Sequence, residues 1–172
     1  MLEANLQART LPRVRTHAFT RRPDPVAALK AGLLAGVFAF VVLQFIGVVA
    51  YDEGAWKLLR MVAALARGPG VLDPDDEFDA PVAFIGITLF LAISLLYALA
   101  LSVLVADAPR RHAIAMGFAF GITLYFVNFH GFTALFPWFA PMRTFDTLVV
   151  HALFGVAIAK GYWFFRRRRP GP

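Results

Sequence analysis

The chain has 172 residues, of which 59% are hydrophobic, 15% aromatic and only 16% charged, whereas a soluble domain carries about a quarter of its residues charged. That balance excludes an ordinary soluble domain and points to a membrane. Cysteine is absent, which removes disulfides, iron–sulfur clusters, thiolate zinc sites and a cysteine nucleophile. The net charge of +6 sits in tails and short loops that border apolar runs, so it reads as a topology signal rather than a nucleic-acid footprint.

Residues 1–24 form a basic extension, expected to be cytoplasmic, and residues 25–165 a four-helix transmembrane domain. Apolar runs at about 26–50, 80–106, 110–130 and 145–165 each have the ~20 residues needed to cross ~30 Å of hydrocarbon. Helix-start signals precede them: Asp24 before Pro25, Asp79 before Pro81, Asp107 before Pro109, and Thr144 or Asp146. Thr20-Arg21-Arg22 and the small residues Val48-Val49-Ala50 also fit a cleaved signal. The length of the run and the Pro23-Asp24-Pro25 context favour an anchored helix.

Between the first two runs, Trp56, Leu58, Leu59, Val62 and Leu65 recur at helical spacing, with Lys57, Arg60 and Arg67 off that stripe. A short helix is expected there, lying in the outer interface or packed on the bundle as a connector. Gly68-Pro69-Gly70 stops it. The acidic stretch Asp73 to Asp79 lacks the glycine and the bidentate acid of a calcium loop, so it reads as a solvated loop with Asp79 capping the next span.

Gly32 and Gly36, then Gly117 and Gly121, have the small-residue spacing that lets helices approach closely, as Gly155 does with Ala159. Such stripes serve either the bundle itself or a partner. Ser94 and Tyr97 are expected to bond between helices.

Four histidines are present, of which His17 and His112 lie in the basic tail and at a span start. His130 and His151 fall in the apolar part and are the candidate cofactor-binding residues, with haem the alternative ligand and no cofactor expected first. Gln44, Thr123, Asn128 and His151 are the candidate polar pathway. No triad, phosphate loop, metalloprotease motif or dinucleotide fingerprint occurs, so no catalytic residue and no metal ligand set is assigned.

Residues 166–172 form a basic tail in which Arg166, Arg167, Arg168 and Arg169 follow Tyr162, Trp163, Phe164 and Phe165. This is the pattern of an aromatic belt beside a topology determinant that binds anionic lipid, not nucleic acid. Phe136, Trp138 and Phe139 suggest a belt at the opposite face. Thirteen of the seventeen Lys and Arg flank the termini and the second loop, leaving Lys57, Arg60, Arg67 and Arg143 on the other side. Both termini are therefore expected to be cytoplasmic.

The segments MVAALARGPGVLDP, NFHGFTALFPWF and HALFGVAIAKGYW, in that order, resemble a group of small bacterial four-span membrane proteins that carry an automatic "sodium:proline symporter" label. The likeness covers roughly residues 30–165. Its members often have tyrosine at the place of His130, while His151 falls on the group's usual histidine. The resemblance implies a bacterial inner-membrane protein, and the long arginine-rich N-terminal extension sets this chain apart.

The expectation is thus an all-α, integral membrane four-helix bundle with a short interfacial helix in the first outer loop. Its expected role is that of a non-enzymatic accessory or assembly subunit of a larger membrane complex, contacting the lipid bilayer and a membrane-protein partner or further copies of itself. A small oligomeric channel or transporter, and a haem- or metal-binding membrane protein, are the alternatives.

Overall fold

A computed structural model describes residues 22–72 and 77–166. The N-terminal extension through residue 21, His17 with it, the acidic residues 73–76 and Arg167 to Arg169 lie outside the described residues. The described chain is all-α: α1 (Pro25–Ala50), α2 (Lys57–Arg67), α3 (Ala80–Val105), α4 (Arg110–Phe126) and α5 (Phe145–Phe165), with no strand among the described residues. A π-helical turn, Val127–Gly131, extends α4, and short 3₁₀ turns at Phe132–Ala134 and Pro137–Met142 lead to α5.

Four of these helices are long and apolar enough to cross a membrane: Pro25–Ala50, Ala80–Val105, Arg110–Ala134 and Phe145–Phe165. At a rise of ~1.5 Å per residue, the 26 residues of α1 and of α3 span ~39 Å, more than the ~30 Å of hydrocarbon. Their outward faces carry Val37, Phe38, Phe45, Phe84 and Leu96, all exposed and apolar. The protein is a multi-pass membrane protein in which lipid covers those faces. An even number of spans puts residues 22 and 166 on one side of the bilayer and α2 on the other.

The helix starts follow from local chemistry. The Asp24 and Asp79 carboxylates accept from the backbone N–H of Ala27 and Val82, each at 3.1 Å, and a proline opens both helices. Thr144 does the same for Thr147 N–H at 3.2 Å. At α4 the N-cap is Pro109, which offers no side-chain acceptor, so Asp107 is not the cap residue that its place before a proline suggested.

Close backbone approach decides the packing order. α5 lies between α4 and α1, and α1 between α5 and α3. A β-carbon on Gly117 would sit 2.5 Å from the Gly155 carbonyl oxygen, and one on Gly121 would run into the His151 carbonyl; on Gly32 it would meet the Ala98 β-carbon at 2.6 Å, and on Gly36 the Ser94 β-carbon at 2.8 Å. The small-residue stripes are therefore consumed within the chain, Gly117, Gly121 and Gly155 joining α4 to α5, Gly32 and Gly36 joining α1 to α3. Polar clasps hold both ends of the antiparallel α1–α5 pair: Asp24 N–H donates to the Tyr162 hydroxyl at 3.1 Å, and the Tyr51 hydroxyl to the Asp146 carboxylate at 2.6 Å. Tyr162 is thus buried between helices and does not sit in an interfacial belt with exposed Phe164.

α2 packs on α3 instead of lying free in the interface. Its buried residues are Leu59 to Ala64, and Gly86 admits it, since a β-carbon there would strike the Leu59 carbonyl. Arg60 lies off the apolar stripe yet is buried, and it donates to the carbonyls of Val71, at 3.0 Å, and Glu77. The guanidinium thereby ties down the chain that leaves α2, satisfying backbone acceptors that no helix serves.

A lipid-facing cavity between the third and fourth helices

α3 and α4 are joined by a short turn yet touch little. Where the two part, a cavity of about 400 Å³ lies between α3 and the π-helical extension of α4, within the range of roughly 300–1,000 Å³ typical of small-molecule sites. Its floor is Ala39 and Leu43 of α1 with Val150, His151 and Phe154 of α5, and one wall is Phe90, Ile93 and Tyr97 of α3. Leu58, Val62 and Leu65 of α2, with Phe136, Phe139 and Met142 before α5, close it from above. The Trp138 indole N–H, donating to the Met61 carbonyl at 3.0 Å, pins that cover to α2. Leu96 and Phe132, both lining residues, are 63% and 46% exposed, so the cavity opens sideways, toward lipid.

The π-helical turn positions the opposite wall. Such turns widen a helix by one residue and recur at functional sites; here the turn is Val127–Gly131 and carries Asn128 and Phe129 to the cavity. The Phe129 carbonyl accepts from the Thr133 hydroxyl at 3.1 Å and from Arg143 Nε at 2.6 Å, while another Arg143 nitrogen donates to the Thr133 hydroxyl. The single cation of the span-linking segment 127–144 is thus spent on closing the end of α4.

Four polar side chains, Ser94, Tyr97, Asn128 and His151, interrupt the apolar lining, and Ser94 is satisfied by the Phe90 carbonyl of its own helix. The Tyr97 hydroxyl donates to Asn128 Oδ1 at 2.7 Å, bridging the open seam. His151 Nδ1 lies 2.9 Å from the Thr147 carbonyl oxygen, which can only accept, so Nδ1 carries a proton and, in the neutral tautomer this selects, Nε2 is an acceptor. The imidazole is wedged edge-on against Phe129 at 5.2 Å and Tyr125 at 6.2 Å.

The remaining candidate residues go elsewhere. Gln44 donates to the Ala55 carbonyl and lines a second, smaller cavity of about 250 Å³ at the α2 end. Thr123 is exposed and bonds back to the Ala119 carbonyl at 3.0 Å. Of the candidate polar pathway, only Asn128 and His151 share one space. His130 is exposed and stacks on Phe126 and Tyr125 at 5.3 and 5.6 Å; His151 alone of the two lines the cavity. The pair therefore does not present two axial ligands to one pocket, and no group of three His, Asp or Glu side chains comes together among the described residues. Arg166 stacks over Trp163 at 4.2 Å at the end of α5.

Local spacing alone gives Tyr97 as a helix contact and Phe136 and Phe139 as belt residues. Their part in the cavity depends on how far α3 and α4 part, which no local spacing encodes. No protein-family model, no curated protein and no solved structure matches the chain.

Proposed function

We propose that this chain is a non-enzymatic protein of a bacterial inner membrane that acts by contact, as an accessory subunit of a larger membrane assembly, with both termini cytoplasmic. The observation that carries this reading is the scatter of its intramembrane polar groups. Ser94 and Ser102 bond to the carbonyls of Phe90 and Leu99 in their own helix at 2.8 and 2.7 Å, Thr123 to Ala119, and Gln44 to the loop after α1. A conducted solute needs polar groups aligned along one path through the bundle; these are satisfied separately, facing different neighbours. Since the glycine stripes are used inside the chain, partner contact falls to the lipid-exposed faces of α1 and α3 and to the basic end.

Purification in mild detergent, with identification of co-purifying protein, tests the proposal. A stoichiometric membrane-protein partner is the expected result. Recovery of the chain only alone or as copies of itself, together with solute flux in proteoliposomes that His151→Ala abolishes, would replace it with the transporter reading.

A further inference from the structure

We infer that the cavity between α3 and the π-helical extension of α4 binds an uncharged, hydroxyl-bearing lipid, which enters sideways from the membrane and places its alcohol between Asn128 and His151. This goes beyond the accessory reading and does not depend on it.

Three features define the occupant. The cavity holds about 400 Å³ and is roofed by α2 and the Pro137–Met142 turn, which leaves room for one chain and not for a helix of ~10 Å diameter. Its rim, Leu96 and Phe132, is exposed at the lipid face, so the occupant arrives from the bilayer and is itself apolar along most of its length.

The head follows from valences left open inside. Asn128 Oδ1 is engaged by Tyr97, but its amide nitrogen has no hydrogen-bond partner among the described residues, and neither has His151 Nε2. One group is a donor and the other an acceptor. A hydroxyl answers both, accepting from the amide and donating to the imidazole. A ketone or quinone carbonyl could satisfy only the amide. A carboxylate or phosphate would enter an apolar site with no Lys or Arg in its lining, at a large desolvation cost. Both side chains line a pocket that is otherwise largely apolar, and a ligand that pairs with their open valences is bound at that point.

The test is photolabelling of the full chain in lipid nanodiscs with hexadecanol carrying a diazirine near the middle of its chain, followed by mapping of the labelled peptides. Labels are expected on the segments around Ile93 and Phe136, displaced at least tenfold better by hexadecanol than by hexadecane or hexadecanoic acid. Asn128→Leu and His151→Phe should each weaken labelling about three- to tenfold, the effect of one ordinary hydrogen bond. Ile93→Trp, which adds bulk to the cavity wall and leaves both polar residues in the chain, should abolish it, and retention of the parent's melting temperature confirms a folded variant. Labels confined to the outward faces of α1 and α3, or labelling that Ile93→Trp leaves unchanged, would overturn the site. Equal displacement by the alkane or the acid would overturn recognition of the hydroxyl.

Discussion

Gly117 of α4 and Gly155 of α5 face each other across backbone: a β-carbon on Gly117 would lie 2.5 Å from the Gly155 carbonyl oxygen and 2.7 Å from the Ala159 β-carbon. No flexible side chain can move aside there, because one obstacle is main chain. Hydrophobic burial contributes little between helices already in lipid, so this close fit is a principal source of cohesion for the pair.

Gly117→Ala or Gly155→Ala is therefore expected to force α4 and α5 apart and to destabilise the protein by about 1–3 kcal/mol, the cost of overpacking a filled interior. Thermal unfolding in detergent measures it. Gly70→Ala is the control, since nothing lies within 4 Å of a β-carbon at that position, and should leave the melting temperature unchanged. Equal melting temperatures for all three variants would show that the helices tolerate separation.

Arg60 provides a second prediction. Its guanidinium reaches the carbonyls of Val71 and Glu77, so Arg60→Met keeps the aliphatic bulk and removes the donors. The expected loss is about 1–3 kcal/mol for acceptors left unsatisfied. The chain after α2 should also become more sensitive to protease. Unchanged cleavage between α2 and α3 would mean that the loop is held by other contacts.

The contrast between these positions shows what was legible in sequence. Span number and length, the caps at Asp24, Asp79 and Thr144, and the glycine stripes were readable because each depends on neighbours within a few residues. The burial of Arg60 is not legible, because helical periodicity gives the direction of a side chain from its own axis and not the loop that folds back over it. The cavity was hidden for a similar reason. Asn128 and His151 were recognisable as polar groups in an apolar setting, but their company with Tyr97 requires the separation of α3 from α4 and the extra residue of the π-helical turn.

The clasp at the α2 end predicts an alkaline effect. Tyr51 lies outside the spans, and its hydrogen bond to the Asp146 carboxylate raises the phenol above its ordinary value of 10.0, since ionisation would remove the donated proton and set two negative charges together. A raised folded-state value means that the bond stabilises the fold at pH below the unfolded value and that this contribution is lost as pH rises through the folded one. Melting temperatures of the parent chain and of Tyr51→Phe should differ at pH 8 and converge above pH ~10. Curves that stay parallel over that range would exclude a role for the clasp.

Orientation is open to direct measurement because the chain has no cysteine, so a single introduced thiol is a unique reporter. The α3–α4 turn around Ala108 lies at the same end of the bundle as the start of α1 and the end of α5, with Arg110 and Arg111 beside it, whereas Gly70 lies at the α2 end. The excess of Lys and Arg at the first end predicts that it faces the cytoplasm. In intact cells, a membrane-impermeant maleimide should label Gly70→Cys and not Ala108→Cys, and permeabilisation should expose the second. The reverse pattern would invert the proposed topology and move the mouth of the cavity, which lies beneath α2, from the outer leaflet to the inner one. The lipid that reaches Asn128 and His151 would then be drawn from the cytoplasmic side.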